Sequence, residues 1–258
     1  MRFQSAATLT AFALASALGG CGGDGSPAAP PTSTATVEGV YRGDSSTAGA
    51  PAAFTLLVQH DGTFWHLYGG KNLDMLTMTG FVQGTGSLTS PTLTSSNAID
   101  FGATSPASGP YSVTYSAPHG PSVSGSGHYT GMSTAFAGGP FDATRYQYSD
   151  ASALSNVAGD WQMTSMQNVA TTAHIAADGT LTASDASGCS LSGKLTPSAD
   201  NKNYFTVTLT VGPAPCPHAG ATTTGIAVDP VTMHGGHFYI ATISAARDFG
   251  VGISSSPP

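Results

Sequence analysis

The stretch that decides the fold reads YFTVTLTV and spans residues 204–211. Polar and apolar residues alternate along it, and the apolar set is Phe205, Val207, Leu209 and Val211. Successive side chains of a β-strand point to opposite faces, so the pattern predicts a strand with one buried face. Similar short segments occur on both sides of it, separated by turn residues, which indicates an antiparallel β-protein.

The composition of the whole chain agrees with this interpretation. Of 258 residues only 8% are charged, Glu38 is the single glutamate, and there are 33 Gly and 17 Pro. A chain rich in Thr and Ser and poor in Leu, Glu and Lys is a weak helix former but suits strands and turns. The alternative is a disordered chain, but the aromatic content of 9% argues against disorder outside the linkers.

Two halves of the chain carry the same motifs in the same order. The first has Gly39-Val40-Tyr41 and then Asp61-Gly62-Thr63, and the second has Gly159-Asp160-Trp161 and then Asp178-Gly179-Thr180. An Asp-Gly pair between strands predicts a type I′ hairpin turn. We therefore expect an internal duplication, with a further strand at Ala143–Tyr148 and a join at 149–155 that allows a short helix.

The predicted fold is all-β, with two tandem small antiparallel β-barrels or barrel-like sandwiches. The boundaries after residue 20 follow from the composition and the repeated motifs along the chain, and the end of the signal at residue 20 is implied by a resemblance given in the next paragraph. They are a signal peptide at 1–20, a flexible tether at 21–36, a first barrel-like domain at 37–150 and a second at 151–258.

The N-terminal segment has the plan of an export signal, with Arg2 at its head and an apolar run that ends at Leu18. The sequence Leu18-Gly19-Gly20-Cys21 closes it and resembles the lipobox of bacterial lipoproteins. The resemblance implies that Cys21 becomes the first mature residue and carries acyl chains. It also implies that the protein is sorted to the outer membrane, because Gly22 follows the cysteine. Whether the protein faces the periplasm or the cell exterior is not predicted.

The repeated Gly-x-aromatic motifs add a second resemblance. Gly39-x-Tyr41 and Gly159-x-Trp161 are similar to the Gly-x-Trp start of lipocalin-like barrels. Together with the lipobox and the Gly/Pro-rich tether, they resemble bacterial surface lipoproteins built from eight-stranded barrels. Such barrels either hold one small ligand or are filled by side chains, and the sequence leaves both alternatives open.

Cys189 and Cys216 remain as a pair once Cys21 is assigned to lipid. A disulfide is the expected state of such a pair in an exported protein. The alternative is two free thiols that bind a metal, but there is no Cys-x-x-Cys spacing to favour it.

Histidines give the only other metal-like pattern. His234-Gly235-Gly236-His237, joined by His218, forms a weak candidate metal site. The alternative is a glycine-rich hairpin with solvated histidines, which we favour, so no metal or other cofactor is predicted.

The densest aromatic patch, Phe64-Trp65-His66-Leu67-Tyr68, has two interpretations. In a strand, Phe64, His66 and Tyr68 share one face, and one of the two faces forms a core. The face outside the core is a candidate binding surface. Since the pattern does not show which face that is, Phe64, Trp65, His66 and Tyr68 are all candidate binding residues. The favoured alternative is that the other half of the chain covers it.

Function follows from these features only in outline. The formal charge of −7 and the scattered Lys and Arg residues exclude nucleic acid and a basic membrane-surface patch. No Gly-x-Ser-x-Gly or His-Glu-x-x-His motif occurs. We predict a non-catalytic, membrane-anchored lipoprotein with a binding or structural role in the bacterial envelope. Its partner would be an envelope or host protein, or a small apolar ligand. The alternative is an envelope hydrolase or metal-binding protein that uses His218, His234 and His237.

Overall fold

The computed structural model describes residues 37–47, 50–72, 75–89, 91–102, 105–116, 122–129, 132–140, 146–228 and 237–255. The strands of the first half are β1 (Gly39–Thr47), β2 (Ala50–Val58), β3 (Thr63–Asn72), β4 (Met75–Thr85), β5 (Ser87–Thr89), β6 (Thr92–Phe101), β7 (Ala107–Ser116), β8 (Ser122–Tyr129) and β9 (Met132–Pro140). Those of the second half are β10 (Gly159–Ser165), β11 (Ala170–Ile175), β12 (Thr180–Asp185), β13 (Ser190–Pro197), β14 (Phe205–Val211), β15 (Thr222–Val228), β16 (Tyr239–Ser244) and β17 (Gly250–Ser255).

Each half forms a closed antiparallel barrel of eight strands. In the first barrel, β9 pairs with β1, and β4 pairs with β6 from Phe81↔Phe101 onward, which closes the ring and leaves β5 as an extra strand beside β6. In the second, β10 to β17 follow one another and β17 returns to pair with β10. The predicted all-β fold with two tandem barrels is confirmed.

The alternating pattern of residues 204–211 has its predicted effect. Along β14 the four apolar side chains are buried and Thr206, Thr208 and Thr210 are exposed. The hydrophobic effect therefore sets the inward face of this strand, and its neighbours follow through the hydrogen-bond register.

The segment between the barrels differs from the prediction. Residues Tyr146–Tyr148 are described and are not a strand, and residues 143–145 lie outside the described ranges. A single 3-10 turn at Leu154–Asn156 is the short helix that the join allows. The chain before this turn is fixed to the second barrel, because Asn203 N–H donates to the Tyr148 carbonyl at 3.0 Å and the Tyr146 hydroxyl donates to the Asn203 carbonyl.

The two Asp-Gly turns share one geometry, which is not type I′. Gly62 and Gly179 have φ of +82° and +85°, whereas the aspartate before each has no positive φ. Type I′ needs positive φ at both central residues, so that prediction is wrong. The pattern is that of a three-residue hairpin loop, in which a turn is followed by a left-handed glycine.

A second local geometry also recurs in the two halves. Gly39 and Gly159 have positive φ of 148° and 133°. The aromatic residue two positions on donates backward to a main-chain carbonyl in both cases, Tyr41 to Glu38 at 3.3 Å and Trp161 to Val157 at 2.8 Å. These repeated geometries support an internal duplication.

The barrels belong to one compact unit and share an apolar core. Its residues come from both barrels and from the segment between them: Val40, Leu57, Trp65, Leu67, Leu76, Met78, Phe81, Phe101, Tyr146, Met166, Tyr204, Ile226, Val228, Tyr239 and Ala241. Both barrels therefore bury part of their outer surface against each other. The domain boundary at 150/151 stays a prediction.

Polar contacts also cross the interface. Within the buried core, the Leu76 amide donates to the Tyr239 hydroxyl at 3.3 Å, and the Met78 amide donates to Ser254 Oγ at 3.2 Å. The partly buried Arg247 guanidinium, on the turn before β17, donates to the side chain of Gln83 at 2.8 Å, as well as to main-chain carbonyls of the first barrel. An apolar interface crossed by directional bonds holds one relative orientation.

Two glycines of β17 lie where the barrels approach closely. A Cβ at Gly250 would lie 2.6 Å from the Phe81 ring, so glycine is needed there for space and not for its backbone conformation. A Cβ at Gly252 would lie 2.7 Å from Met166 Sδ of the second barrel and 2.8 Å from Met78 Cε of the first, and these flexible side chains can shift.

We expect Gly250→Ala to destabilise the protein by about 1–3 kcal/mol, because the added methyl group overpacks the interface. Gly70→Ala is the matched control, since a Cβ at that strand position meets nothing within 4 Å. Chemical denaturation followed by circular dichroism gives the free energy of unfolding. Equal stability of the two variants would contradict this close packing.

Candidate ligand-binding site at the mouth of the second barrel

Aromatic rings occupy the interior of the first barrel. Phe64 stacks on Tyr111 with ring centroids 4.4 Å apart, and Phe136 packs edge-on against His66 at 4.6 Å and against Phe54 at 5.2 Å. These five side chains are all buried. The first barrel is thus the type that side chains fill.

His66 is a buried polar group within these rings. Its Nδ1 lies 2.6 Å from the Tyr111 hydroxyl, and its Nε2 has no hydrogen-bond partner among the described residues. Burial lowers the pKa of His66 to about 3, so the imidazole is neutral at physiological pH.

The aromatic patch of β3 divides between two cores, as the alternation predicts. Phe64 and His66 point into the first barrel, and Tyr68 packs beside them, partly buried. Trp65 and Leu67 point outward into the core shared with the second barrel. Phe64, Trp65 and His66 are buried, so this patch is not an exposed binding surface, and the core shared with the second half of the chain takes up its outward side chains, Trp65 and Leu67.

The second barrel is closed at one end by large side chains. Val157 and Phe238 are fully buried there, Trp161 packs on Phe238 with centroids 5.1 Å apart, and Phe205 completes the layer. Leu154 of the 3-10 turn packs against this cluster. The chain entering the barrel therefore forms its floor.

The opposite end of the second barrel is open and holds a cavity of about 730 Å³. Its walls come from the ends of five strands: Thr171, Ala183, Leu191, Val211, Val251 and Ile253. Most of these side chains are aliphatic and of small or medium size, so they leave space that the rings at the other end fill. We refer to this cavity as the cup.

Turns around the mouth form the rim of the cup. The rim residues are Gln167, Asp185, Ser187, Pro215, His218, Asp248 and Phe249. The first barrel adds one side of the wall through residues 101–102 and 105–106. The cup therefore uses both halves of the chain.

A disulfide spans part of the rim. Cys189 and Cys216 are bonded with an S–S distance of 2.11 Å, which confirms the predicted pair and removes the free-thiol alternative. The bond joins the turn after β12 to the loop after β14 and closes a segment of 27 residues. By the loop-entropy estimate, a disulfide that closes a loop of this length stabilises the folded state by about 3 kcal/mol.

The loop after β14 also contacts the far side of the mouth. The His218 ring stacks on the Phe249 ring, with centroids 3.9 Å apart and planes at 2°. The loop is thus fixed at Cys216 by the disulfide and at His218 by ring stacking.

Two rim aspartates accept hydrogen bonds from neutral donors. Asp185 Oδ1 accepts from Ser187 Oγ at 2.5 Å and from the amides of Ser187 and Cys189, and these bonds hold the pKa of Asp185 below its usual value. Asp248 accepts from Ser244 Oγ at 2.5 Å, which lowers the pKa of Asp248, with a smaller contribution from His218. Both groups are ionised at neutral pH.

The candidate metal-binding histidines are not brought together. His218 lies at the mouth, whereas His237 precedes β16 at the closed end, one strand length or about 20 Å away. His234 lies outside the described residues. Within the described ranges, no three His, Cys, Asp or Glu side chains are grouped so that they could hold a metal ion.

The N-terminal predictions also concern residues outside the described ranges. They are the signal at 1–20, the lipid site at Cys21 and the tether at 21–36. In the described part of the chain, no helix combines the length and apolar character needed to span a bilayer.

Sequence reasoning missed the cup. Its signal was the size of the inward residues, which falls from Phe205 to Val211 along β14 and from Leu181 to Ala183 along β12. That trend indicates a cavity only once the end of each strand is assigned to the floor or the mouth of the barrel.

No protein-family model, no curated protein and no solved structure matches the chain. The resemblance to lipocalin-like barrels and bacterial surface lipoproteins stays a prediction from short motifs. The chemistry of the cup is therefore the basis for a functional proposal.

Burial of His66 predicts a loss of stability in acid. The unfolded histidine binds a proton below pH 6.5, whereas the folded one does so only near pH 3, so stability falls as the pH decreases between these values. From pH 6.5 to pH 5 this group alone removes about 2 kcal/mol. We expect His66→Gln to flatten this part of the stability profile. His128→Gln, at an exposed position of the same barrel, is the control. Parallel profiles for wild type and His66→Gln would contradict the assignment.

Proposed function

We propose that this protein is a non-catalytic, lipid-anchored protein of the bacterial outer membrane whose second barrel binds a small, largely apolar ligand. The observation that carries the proposal is the cup, a cavity of about 730 Å³ with aliphatic walls and a polar rim. Ligand pockets in proteins have volumes of roughly 300–1,000 Å³ and combine apolar walls with a few polar groups. The cup fits a ligand of drug-like or short fatty-chain size.

The framework of the cup favours binding. The disulfide holds the rim loop, Gly250 lets one wall strand pack closely against the first barrel, and the floor is a packed layer. A preformed pocket orders few groups on binding, so more of the contact energy appears as affinity.

The anchor part of the proposal comes from the N-terminal sequence. Leu18-Gly19-Gly20-Cys21 follows a charged head and an apolar run, and the next residues are rich in Gly, Pro, Ser and Thr. We propose that a linker of this composition lets the barrels sample ligand near the lipid surface.

Two other roles have less support. A hydrolase or metal-binding protein would need His218, His234 and His237 together, and the two described ones lie at opposite ends of the barrel. A purely structural lipoprotein needs no cavity, and the cup would then have no use.

Filling the cup tests the binding function. We expect the neutral dye N-phenyl-1-naphthylamine to bind with enhanced fluorescence and Leu191→Trp to weaken this binding at least tenfold. Leu191 lines the cup, whereas the next residue, Ser192, points outward and is exposed. Ser192→Trp is therefore the matched control on the same strand and should bind dye as wild type does. No dye binding by folded wild type, or equal loss in both variants, would contradict a ligand cup.

The lipid anchor is tested by Cys21→Ser. We expect this variant to lose its acyl chains and to move from the membrane pellet to the soluble fraction, because the thiol is the attachment point. Ser26→Ala, in the same tether, should stay with the membrane. Membrane pelleting of Cys21→Ser after a high-salt wash would exclude anchoring through this residue.

A further inference from the structure

Carboxylates are the permanent charges around the cup. Among the described residues that line it, Asp185 and Asp248 are the carboxylates, none is Lys or Arg, and His218 is the other titratable side chain. Arg247 is next to Asp248 in sequence, but its guanidinium donates to Gln83 and to the Asn97 carbonyl of the first barrel. The mouth therefore carries a negative potential, which a narrow opening with apolar walls concentrates.

The two rim carboxylates differ from most other aspartates of the described chain. Asp44 and Asp178 each pair with a lysine, and Asp160 and Asp200 each lie within 3.4 Å of a histidine nitrogen. In the described ranges, Asp185 and Asp248 form no ion pair with Lys or Arg and accept bonds from serine hydroxyls. Among the described residues, their charge is thus not neutralised by a lysine or an arginine, and His218 is close enough to Asp248 to lower the pKa of that carboxyl.

An aromatic ring lies beside one of these charges. Phe249 lines the cup next to Asp248, and the stacked His218 covers one face of its ring and leaves the other face for a ligand. A cation near an aromatic face is attracted by the ring quadrupole, and the attraction adds to that of carboxylates. Acidic and aromatic groups together are the chemistry that recognises an ammonium group.

We propose that the ligand of the cup is a small cationic amphiphile, with an amine or quaternary ammonium head at the rim formed by Asp185, Asp248 and Phe249. Its apolar body lies against Leu191, Val211 and Val251. Asp185 and Asp248 are on turns at opposite sides of the mouth, so the head enters a field to which both contribute. This inference rests on the proposed binding function and names the ligand class.

Competition between probes of equal chain length tests the ligand class. The protein is the chain from residue 21 onward carrying Cys21→Ser, which contains both barrels. Decyltrimethylammonium, decanol and decyl sulfate, each below its micelle concentration, compete against bound N-phenyl-1-naphthylamine at pH 7.5. We expect the cation to displace the dye at a concentration at least fivefold lower than decanol and the sulfate to be the weakest competitor. Raising NaCl from 0.05 to 0.5 M should reduce the advantage of the cation, because salt screens exposed charges.

Amide variants separate the charge from the geometry. Asparagine keeps the oxygen that accepts the serine bonds, so Asp185→Asn and Asp248→Asn remove charge with little change in shape. We expect each to weaken the cation about fivefold, as one exposed charge at contact distance predicts, and to leave dye and decanol unchanged. Asp178→Asn, at an exposed turn of the closed end, should change none of the three.

The outcomes distinguish the two proposals. Dye binding with no preference for the cation, or an advantage that survives both rim substitutions, overturns the ligand class and leaves the binding function in place. No dye binding by the folded protein overturns the binding function itself. A cation preference that the rim variants abolish and Asp178→Asn retains supports both.

Discussion

The interior of an eight-stranded barrel is just large enough for side chains to fill, so the size of the inward residues decides whether space for a ligand remains. The two barrels of this protein resolve that constraint differently. In the first, rings such as Phe54, Phe64 and Phe136 occupy the interior. In the second, the large residues lie only at the floor, and aliphatic residues such as Ala183 and Val211 surround the mouth. A repeated architecture thus provides one filled barrel and one cup.

Strand β17 belongs both to the interface between the barrels and to the wall of the cup. Its outward residues Gly250 and Gly252 contact Phe81 and Met78 of the first barrel, while its inward residue Val251 lines the cup. Packing at the interface therefore positions one wall of the binding site. In this account the filled barrel supports the open one, and the local geometries shared by the two halves suggest that these roles arose after a duplication.

The sequence predicts strands with regular alternation of polar and apolar residues better than strands without it. The strand predicted over residues 204–211 is found as β14 at Phe205–Val211. Strand β9, Met132–Pro140, was missed because its run of Ala and Gly has no alternation. The prediction of type I′ turns was wrong because an Asp-Gly pair also suits a turn with a single left-handed glycine.

The candidate site depends on tertiary structure in ways that local patterns do not reveal. Alternation along β3 places Trp65 and His66 on opposite faces of the strand, but only the position of the second barrel shows that Trp65 is covered. The pair Cys189 and Cys216 was predictable from redox context, whereas its position on a rim was not.

The most direct test of the account is a methyl NMR titration of the folded chain with N-phenyl-1-naphthylamine. The account predicts chemical-shift changes at Ala183, Leu191, Val211 and Val251 and none at Val113 and Val123, which lie inside the filled barrel. Shifts inside the first barrel, or on the outer faces only, would contradict the claim that the second barrel is the ligand cup.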